Sequence, residues 1–329
     1  MIGVYLYHSR IYFSMEIPDY NLWLSPFYVN AFFFVSGYLF FRKQYSNKSW
    51  NNNIITNFKD QSSSFLNILF RVVIPTILFS IILYFPKILF HSNQFNFKDF
   101  TIETFGGISF WFTSAFAVAQ IFLLLLICFG INNLKKMLLS SFTLFIVGLY
   151  LNSLNETPIT AATYFPWYYK TGLVYTFLMT LGGLYWRFEK NIDSLMKWGW
   201  IPLVIIYFTI LAYIWDGKPI ATMGLGGKCS ALGFIELIIG ILLIIKACKY
   251  IKHAKLLEFI GQNSIIFYFF SGFLPAVFSV IAHKASFPIT YISSLLIALI
   301  SISFGILITF IINQYLSFLI DFRQLSKPA

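Results

Sequence analysis

Charge is scarce in this sequence. Only 11% of its 329 residues are charged, whereas a soluble globular domain is nearer a quarter charged. Hydrophobic residues make up 58% of the chain and the mean hydropathy is +0.76. Forty Phe and twenty Tyr add a large apolar area. This composition excludes a soluble globular protein and predicts an all-α, polytopic membrane helical bundle.

The sequence also has few cysteines and lacks a visible signal peptide, linker or internal repeat. The three cysteines show neither metal-ligand spacing nor a disulfide framework, so no metal site is predicted. No basic segment precedes the first apolar run, so we expect no cleavable signal peptide. No linker or low-complexity tract divides the chain, which predicts a single integral-membrane domain over residues 1–329. No internal repeat is visible, which weakly disfavours a transporter built from duplicated halves.

The net charge of +11 does not indicate a nucleic-acid-binding protein. Such proteins carry a basic face, often interleaved with aromatic residues. Here the Lys and Arg residues fall in short loops between apolar runs. They are better interpreted as signals of membrane topology, with the lipid bilayer as the partner.

Ten apolar runs follow one another along the chain and predict about ten transmembrane helices. A span needs about 20 apolar residues. The first run is shorter, so we expect the first helix to be incomplete or to start upstream of Met1. The runs cover residues 1–13, 27–41, 67–90, 109–131, 137–152, 165–186, 199–215, 230–247, 259–282 and 289–320.

The loops between the runs alternate in charge. Fifteen Lys and Arg residues fall in the loops 42–66, 132–136, 187–198 and 246–258 and in the tail, whereas seven fall on the opposite side. Cytoplasmic loops of membrane proteins carry an excess of Lys and Arg. The pattern therefore predicts that both termini are cytoplasmic.

Ser36 and Gly37 lie in the middle of the second run, NAFFFVSGYLFFR. A small pair inside a membrane helix lets either another backbone or a narrow substrate come close. Plain helix packing and a place on a substrate path are both open for these two residues.

His8 lies toward the predicted outer end of the first run, in YLYHSR. An imidazole titrates near neutrality and can take a proton from a hydroxyl and return it. The alternatives are a general base and a structural histidine in an interfacial belt of tyrosines.

Arg71 opens the third run just inside the predicted cytoplasmic boundary, with Pro75 four residues later. A guanidinium binds phosphate in a bidentate fork. Arg71 is therefore either a site for an anionic cofactor or a positive-inside anchor. Trp111, in SFWF, begins the fourth run on the outer side, where an interfacial tryptophan is expected.

Lys170 and Glu236 are the ionisable residues most clearly inside apolar runs. Intramembrane charges are functional candidates. Lys170 is close enough to its helix end to reach water, whereas Glu236 is about a third of the way along its run.

A small polar segment, Gly261 to Ser264, opens the ninth run. Asn263 or Ser264 is predicted to cap that helix. Tyr268 lies four residues after Ser264 and hence on the same helical face.

Taken in order, these motifs resemble acyltransferase family 3, a family of membrane acyltransferases. The resemblance rests on a His near the end of the first helix, on FFFVSGYLFF at Phe32–Phe41, on Arg71 with Pro75, on SFWF and on LEFIGQNSIIFYFF at Leu257–Phe270. Two features depart from the family pattern. An Arg eleven residues before the His would fall before Met1, and Ser271 stands where many members have His. Either activity does not need those groups, or a truncated chain is inactive.

The resemblance implies a bacterial inner-membrane enzyme that moves an acyl group, commonly acetyl from acetyl-CoA, to a hydroxyl of an extracytoplasmic glycan or lipid-linked saccharide. His8 would be the catalytic residue and Arg71 part of the acyl-donor site. Ser36, Gly37, Trp111, Lys170, Glu236, Asn263 and Tyr268 would lie along the substrate path. Acyl-CoA would be a substrate rather than a resident cofactor, and transfer by direct attack or by a covalent relay stays open. The alternative function is a non-catalytic exporter or flippase of a glycan or lipid-linked precursor, with Lys170 and Glu236 as its pathway charges.

Overall fold

A computed structural model describes residues 1–14, 27–47, 54–91, 95–129, 134–153, 166–214, 231–251 and 253–326. The described residues are mostly helical and contain no strand, which confirms the all-α prediction. The α-helices are α1 Ile2–Phe13, α2 Asn30–Asn47, α3 Ile54–Ile68, α4 Ile74–His91, α5 Phe97–Phe105, α6 Trp111–Cys128, α7 Leu134–Ser153, α8 Tyr169–Ile214, α9 Ala231–Tyr250, α10 Lys255–Gln262, α11 Ser264–Phe270, α12 Phe273–Lys284 and α13 Tyr291–Tyr315.

Six helical stretches in the described residues are long and apolar enough to cross a membrane, which supports a membrane protein. The predicted count of about ten is not confirmed. The six stretches are Thr56–Ile88, Trp111–Cys128, Leu134–Leu151, Pro166–Tyr213, Ser264–Lys284 and Tyr291–Tyr315.

The chain divides into two compact units. One comprises Met1–Asn30, Met196–Thr222 and Ser230–Ser317, and the other comprises Ala31–Leu195, Met223–Cys229 and Phe318–Ala329. We call them the His8 unit and the Arg71 unit.

Helix directions in the His8 unit follow from side-chain contacts. Tyr5 of α1 packs on Phe267, and Phe13, two turns later, stacks on His283. Both residue numbers rise together, so α1 runs parallel to α11 and α12. An ideal Cβ on Gly305 would lie 3.0 Å from the Tyr5 hydroxyl, whereas Phe13 clusters with Ile297. Helix α13 is therefore antiparallel to α1.

Helix directions in the Arg71 unit also follow from side-chain contacts. The ring of Phe33 on α2 stacks on Tyr175 of α8 with centroids 3.8 Å apart, and further along α2 the ring of Phe41 abuts Gly183. Helices α2 and α8 are thus parallel. Lys170 meets the end of α7, whereas Phe177 packs on earlier residues of α7, so α7 is antiparallel to α8. Within each unit, these directions agree with the alternation of the predicted runs.

Three predicted boundaries were wrong. The interval 187–198, predicted as a loop, is helical and belongs to α8, which has one non-helical residue at Phe188 (φ −110°, ψ 16°). The loop 42–66 contains α3, because Asn57 and Gln61 bury one face of a polar helix. The ninth run is not one helix but the three helices α10, α11 and α12. Its break before α12 precedes Pro275, which has no N–H to donate to the carbonyl of Ser271.

Candidate active site

The predicted site residues are divided between the two units. His8, Glu236, Asn263 and Tyr268 belong to the His8 unit, and Ser36, Gly37, Arg71, Trp111 and Lys170 belong to the Arg71 unit.

His8 lies on α1 between two tyrosines. Its imidazole stacks on Tyr12, one turn later, with ring centroids 5.6 Å apart and planes inclined by 15°, and it meets Tyr7 edge-on at 5.5 Å. The side chain is half-buried. The imidazole ring makes these two aromatic contacts. Within the described residues, neither ring nitrogen forms a hydrogen bond. In a neutral imidazole one nitrogen accepts and the other donates, so His8 can offer either role to a bound hydroxyl.

Three buried hydroxyl groups lie on α1 and on the two helices that pack against it. Ser9, Ser279 and Ser301 lie on α1, α12 and α13, which pack together, and each is at most 1% exposed. Among the described residues, none of the three hydroxyls has a hydrogen-bond partner. A buried hydroxyl without a partner is costly, and sequence reasoning did not single out these serines because isolated serines are common in membrane helices.

Glu236 is fully buried on α9. Neither carboxyl oxygen has a hydrogen-bond partner among the described residues. One turn later, an ideal Cβ on Gly240 would lie 2.3 Å from the Phe27 ring and 3.0 Å from the Tyr207 ring, so aromatic side chains pack closely against the next turn of α9.

Asn263 occupies the junction of α10 and α11, but its side chain does not cap α11, which corrects the capping prediction. Its amide nitrogen donates to the carbonyl of Phe259 at 2.9 Å, and its amide oxygen accepts from Asn313 at 2.8 Å. A side chain that bonds backwards to the preceding turn competes with capping. Tyr268 shares α11 with Ser264, as predicted, and its carbonyl accepts from the Ser271 hydroxyl.

Gly37 sits at a close approach of two helix backbones. An ideal Cβ there would lie 1.9 Å from the carbonyl oxygen of Met179 on α8, and one on Gly182 would lie 1.9 Å from the carbonyl oxygen of Phe34. Of the two alternatives for Gly37, close approach of another backbone is the one seen. Ser36 points elsewhere, and its hydroxyl accepts a hydrogen bond from Gln120 at 3.3 Å.

Trp111 and Lys170 lie at the end of the Arg71 unit that is predicted to face outward. Trp111 is the first residue of α6 and meets Phe112 edge-on. The buried Lys170 ammonium donates to the carbonyl of Leu151 at 2.9 Å, near the end of α7. A cation there satisfies a terminal carbonyl and complements the helix dipole. Just before Lys170 in the sequence, Trp167 and Tyr168 adopt positive φ angles of 56° and 50°, which no sequence signal predicted.

Arg71 stands in the middle of a π-helical turn, Leu69–Val73, between α3 and α4. The N–H of Ile74 reaches back five residues to the carbonyl of Leu69. Pro75 cannot donate to the carbonyl of Arg71, and its ring would clash with that carbonyl in a regular α-helix. The wider turn relieves this conflict, and such turns are frequent at functional sites.

The Arg71 side chain is 61% exposed and forms an ion pair with Asp321, from Nε to Oδ2 at 2.9 Å. Arg323 donates two hydrogen bonds to the same carboxylate, from Nε at 2.8 Å and from a terminal nitrogen at 2.6 Å. It also donates to the side-chain oxygen of Asn67. The two guanidinium groups, Arg323 first, hold the pKa of Asp321 well below its usual range. Asp321 therefore stays ionised near neutral pH. Sequence reasoning missed Asp321 and Asn67, because nothing in their local sequence indicates a contact some 250 residues away.

A family model described as an acyltransferase domain, Acyl_transf_3, matches residues 1–314. The chain belongs to acyltransferase family 3. This membership and the apolar helices indicate a membrane acyltransferase. No match was found among curated proteins or among solved structures.

Proposed function

We propose that this acyltransferase moves an acyl group, most simply acetyl, from acyl-CoA to a hydroxyl of an extracytoplasmic glycan or lipid-linked saccharide in a bacterial inner membrane. The observation that carries the proposal is the family match over residues 1–314. The π-helical turn that presents the exposed Arg71 side chain supports an anionic donor.

In the proposed reaction, a His8 ring nitrogen takes the proton from the acceptor hydroxyl. The oxygen attacks the thioester carbonyl, a carbon–oxygen bond forms, and the carbon–sulfur bond breaks with CoA leaving as the thiol after protonation. The absence of a hydrogen bond to His8 within the described residues supports this role, since both nitrogens are available to a substrate. The same proton chemistry serves direct attack or a covalent relay.

The donor would bind through its phosphates at Arg71. A guanidinium matches two phosphate oxygens at once. The predicted topology places Arg71 at the cytoplasmic end of the third run, where acyl-CoA is available. Donor and acceptor would thus enter the protein from opposite faces of the membrane.

The experiment that tests this function compares the acyl content of surface glycans with and without the gene by mass spectrometry. We expect acetyl groups to be lost with the gene and restored by the wild-type copy. Unchanged acylation together with loss of surface glycan would instead support the exporter alternative, for which the buried Glu236 carboxyl is the favouring observation.

A further inference from the structure

Four polar side chains form a cluster at one end of the Arg71 unit. Asn67 and Arg71 come from α3 and the π-helical turn, and Asp321 and Arg323 come from the segment that follows α13. We refer to these four residues as the tail cluster. The two pairs lie about 250 residues apart in the sequence, so only the tertiary structure brings them together.

The charges of the tail cluster are unequal. Two guanidinium groups face one carboxylate, which leaves one positive charge in excess. Asp321 is 15% exposed, whereas the side chains of Arg71 and Arg323 are 61% and 37% exposed. Both guanidinium groups are therefore partly accessible to solvent, and the carboxylate that they share is the more enclosed group.

The geometry at the carboxylate resembles what a phosphate needs. Arg323 contacts both oxygens of Asp321 through two nitrogens, and Arg71 adds a third contact to Oδ2. Such a set of N–H groups around two oxygens is the arrangement in which arginines bind phosphate oxygens. A ligand phosphate at this place would compete with the carboxylate, because both are anions and need the same donors.

We propose that the C-terminal segment completes the donor site, with Arg323 as a second phosphate-binding guanidinium and Asp321 as an internal competitor that the donor phosphate displaces. The proposal rests on the function proposed above, since it takes Arg71 as a donor-binding residue. It makes the tail a specificity element for a phosphate-bearing ligand. The phosphates bound there are those of CoA rather than those of a lipid headgroup.

The test measures CoA binding to the purified full chain in nanodiscs of a zwitterionic lipid, by calorimetry. Arg323→Ala should weaken CoA binding roughly tenfold, as expected for the loss of a charge-assisted hydrogen bond. Asp321→Asn should tighten binding several-fold, because it removes the competing charge while keeping the size of the side chain. A tightened Asp321→Asn variant is the result that a merely structural ion pair would not give.

Matched controls come from the ion pair of Lys87 and Glu103, whose atoms are 2.7 Å apart in the same unit. Lys87→Ala and Glu103→Gln make the same changes in net charge as the two test variants. We expect both to leave CoA affinity unchanged. If Glu103→Gln tightened CoA binding as much as Asp321→Asn, the effect would be one of overall charge, and the proposal would be overturned.

The results for these variants distinguish failure of the tail-cluster proposal from failure of the donor role proposed for Arg71. If Arg71→Ala weakens CoA binding but Arg323→Ala and Asp321→Asn do not change it, the tail proposal is wrong and the donor function of Arg71 stands. If none of the three variants changes CoA binding, the donor assignment itself fails.

A second experiment tests whether the tail cluster binds the phosphate of a lipid headgroup instead of the phosphates of CoA. Native mass spectrometry would count phosphatidylglycerol molecules retained by the wild-type protein and by Arg323→Ala. Loss of retained phosphatidylglycerol with unchanged CoA affinity would show that the tail cluster binds a headgroup, and would overturn the proposal. Retention unchanged with weakened CoA binding is the expected result.

Discussion

At the scale of single residues, the surroundings of His8 favour a general base over a structural histidine. The tyrosine rings at its sides hold the imidazole by stacking and edge contacts, and within the described residues its nitrogens have no hydrogen-bond partner. A histidine that only stabilised the fold would be expected to use a nitrogen in a hydrogen bond, as His283 does with the carbonyl of Phe13 at 2.7 Å. His8 is thus the better candidate for a proton carrier.

We therefore expect His8→Gln to abolish detectable acylation in cells while membrane level and folding stay near normal. A general base contributes about 10²- to 10⁴-fold in rate, and an amide keeps hydrogen bonding but cannot carry the proton. The readout is glycan acyl content, with protein level checked by immunoblot. His283→Gln is the matched control, and acylation by His8→Gln at the wild-type rate would remove His8 as the base.

Arg71 allows a second substitution at this scale. Arg71→Ala should weaken acetyl-CoA binding roughly tenfold, and Arg71→Lys should restore it only in part, because an ammonium lacks the bidentate fork. Calorimetry on the detergent-purified proteins measures both. An unchanged affinity in Arg71→Ala would assign this residue to membrane anchoring.

A substitution of Glu236 tests whether its buried carboxyl group serves function at a cost in stability. Its oxygens have no partner among the described residues, and removing such a group relieves a penalty of about 1–3 kcal/mol. We expect Glu236→Leu to raise the thermal midpoint in detergent and to lower acyl transfer, since ionisable residues inside membranes usually serve function. If the more stable Glu236→Leu protein acylated glycan normally, Glu236 would not belong to the substrate path.

At the scale of elements, the contact of α2 with α8 depends on small residues. Both Gly37 and Gly182 face a carbonyl oxygen of the other helix at a distance where no Cβ fits. Close backbone approach is a recurrent way in which membrane helices associate. The two glycines therefore set the distance between these helices.

Gly37→Ala should destabilise the protein by about 1–3 kcal/mol, the usual cost of overpacking. Gly199→Ala is the matched control, because Gly199 is also helical and, among the described residues, no heavy atom from outside its own helical turn lies within 4 Å of an added Cβ. That control should be neutral or stabilising by about 0.5–1 kcal/mol. Thermal unfolding in detergent measures both, and equal midpoints for the two variants would contradict the packing role of Gly37.

Prolines explain why two predicted helices are irregular. Pro75 follows the π-helical turn at Arg71, and Pro275 follows the break between α11 and α12. In both places the missing N–H leaves the carbonyl four residues earlier without its helical donor. The sequence showed both prolines, but it did not show whether a wider turn or a break would result.

At the scale of the whole molecule, topology is the main prediction. The excess of cations in alternate loops predicts a cytoplasmic location for the segment 187–198, and an outer location for the segment around Lys98. Within each unit, the helix directions agree with this alternation. In the Arg71 unit, Arg71 and Arg323 meet at one carboxylate, in keeping with their predicted location on one side.

Single cysteines at Asn191 and Lys98, both exposed, test this topology. In a chain whose native cysteines are changed to serine, a membrane-impermeant maleimide should label Lys98→Cys in intact cells. Asn191→Cys should be labelled only after the cells are opened, since α8 carries it on the predicted cytoplasmic side. Strong labelling of Asn191→Cys in intact cells would reverse the predicted orientation.

The sequence by itself determined the class and the family of this protein. Low charge and long apolar runs can be buried only in lipid, and an ordered set of local motifs identified acyltransferase family 3. His8, Arg71 and Glu236 could be selected as candidates because ionisable residues in apolar surroundings are conspicuous in any single sequence.

Only the tertiary structure decided which residues meet. The tail cluster joins Asn67 and Arg71 to Asp321 and Arg323, and a contact across 250 residues leaves no trace in local composition or periodicity. Gly37 could have faced a substrate or a helix, and it faces the backbone of Met179 because α2 and α8 run parallel at close approach. Local sequence sets what each residue can do, whereas the packing of distant helices sets what it touches.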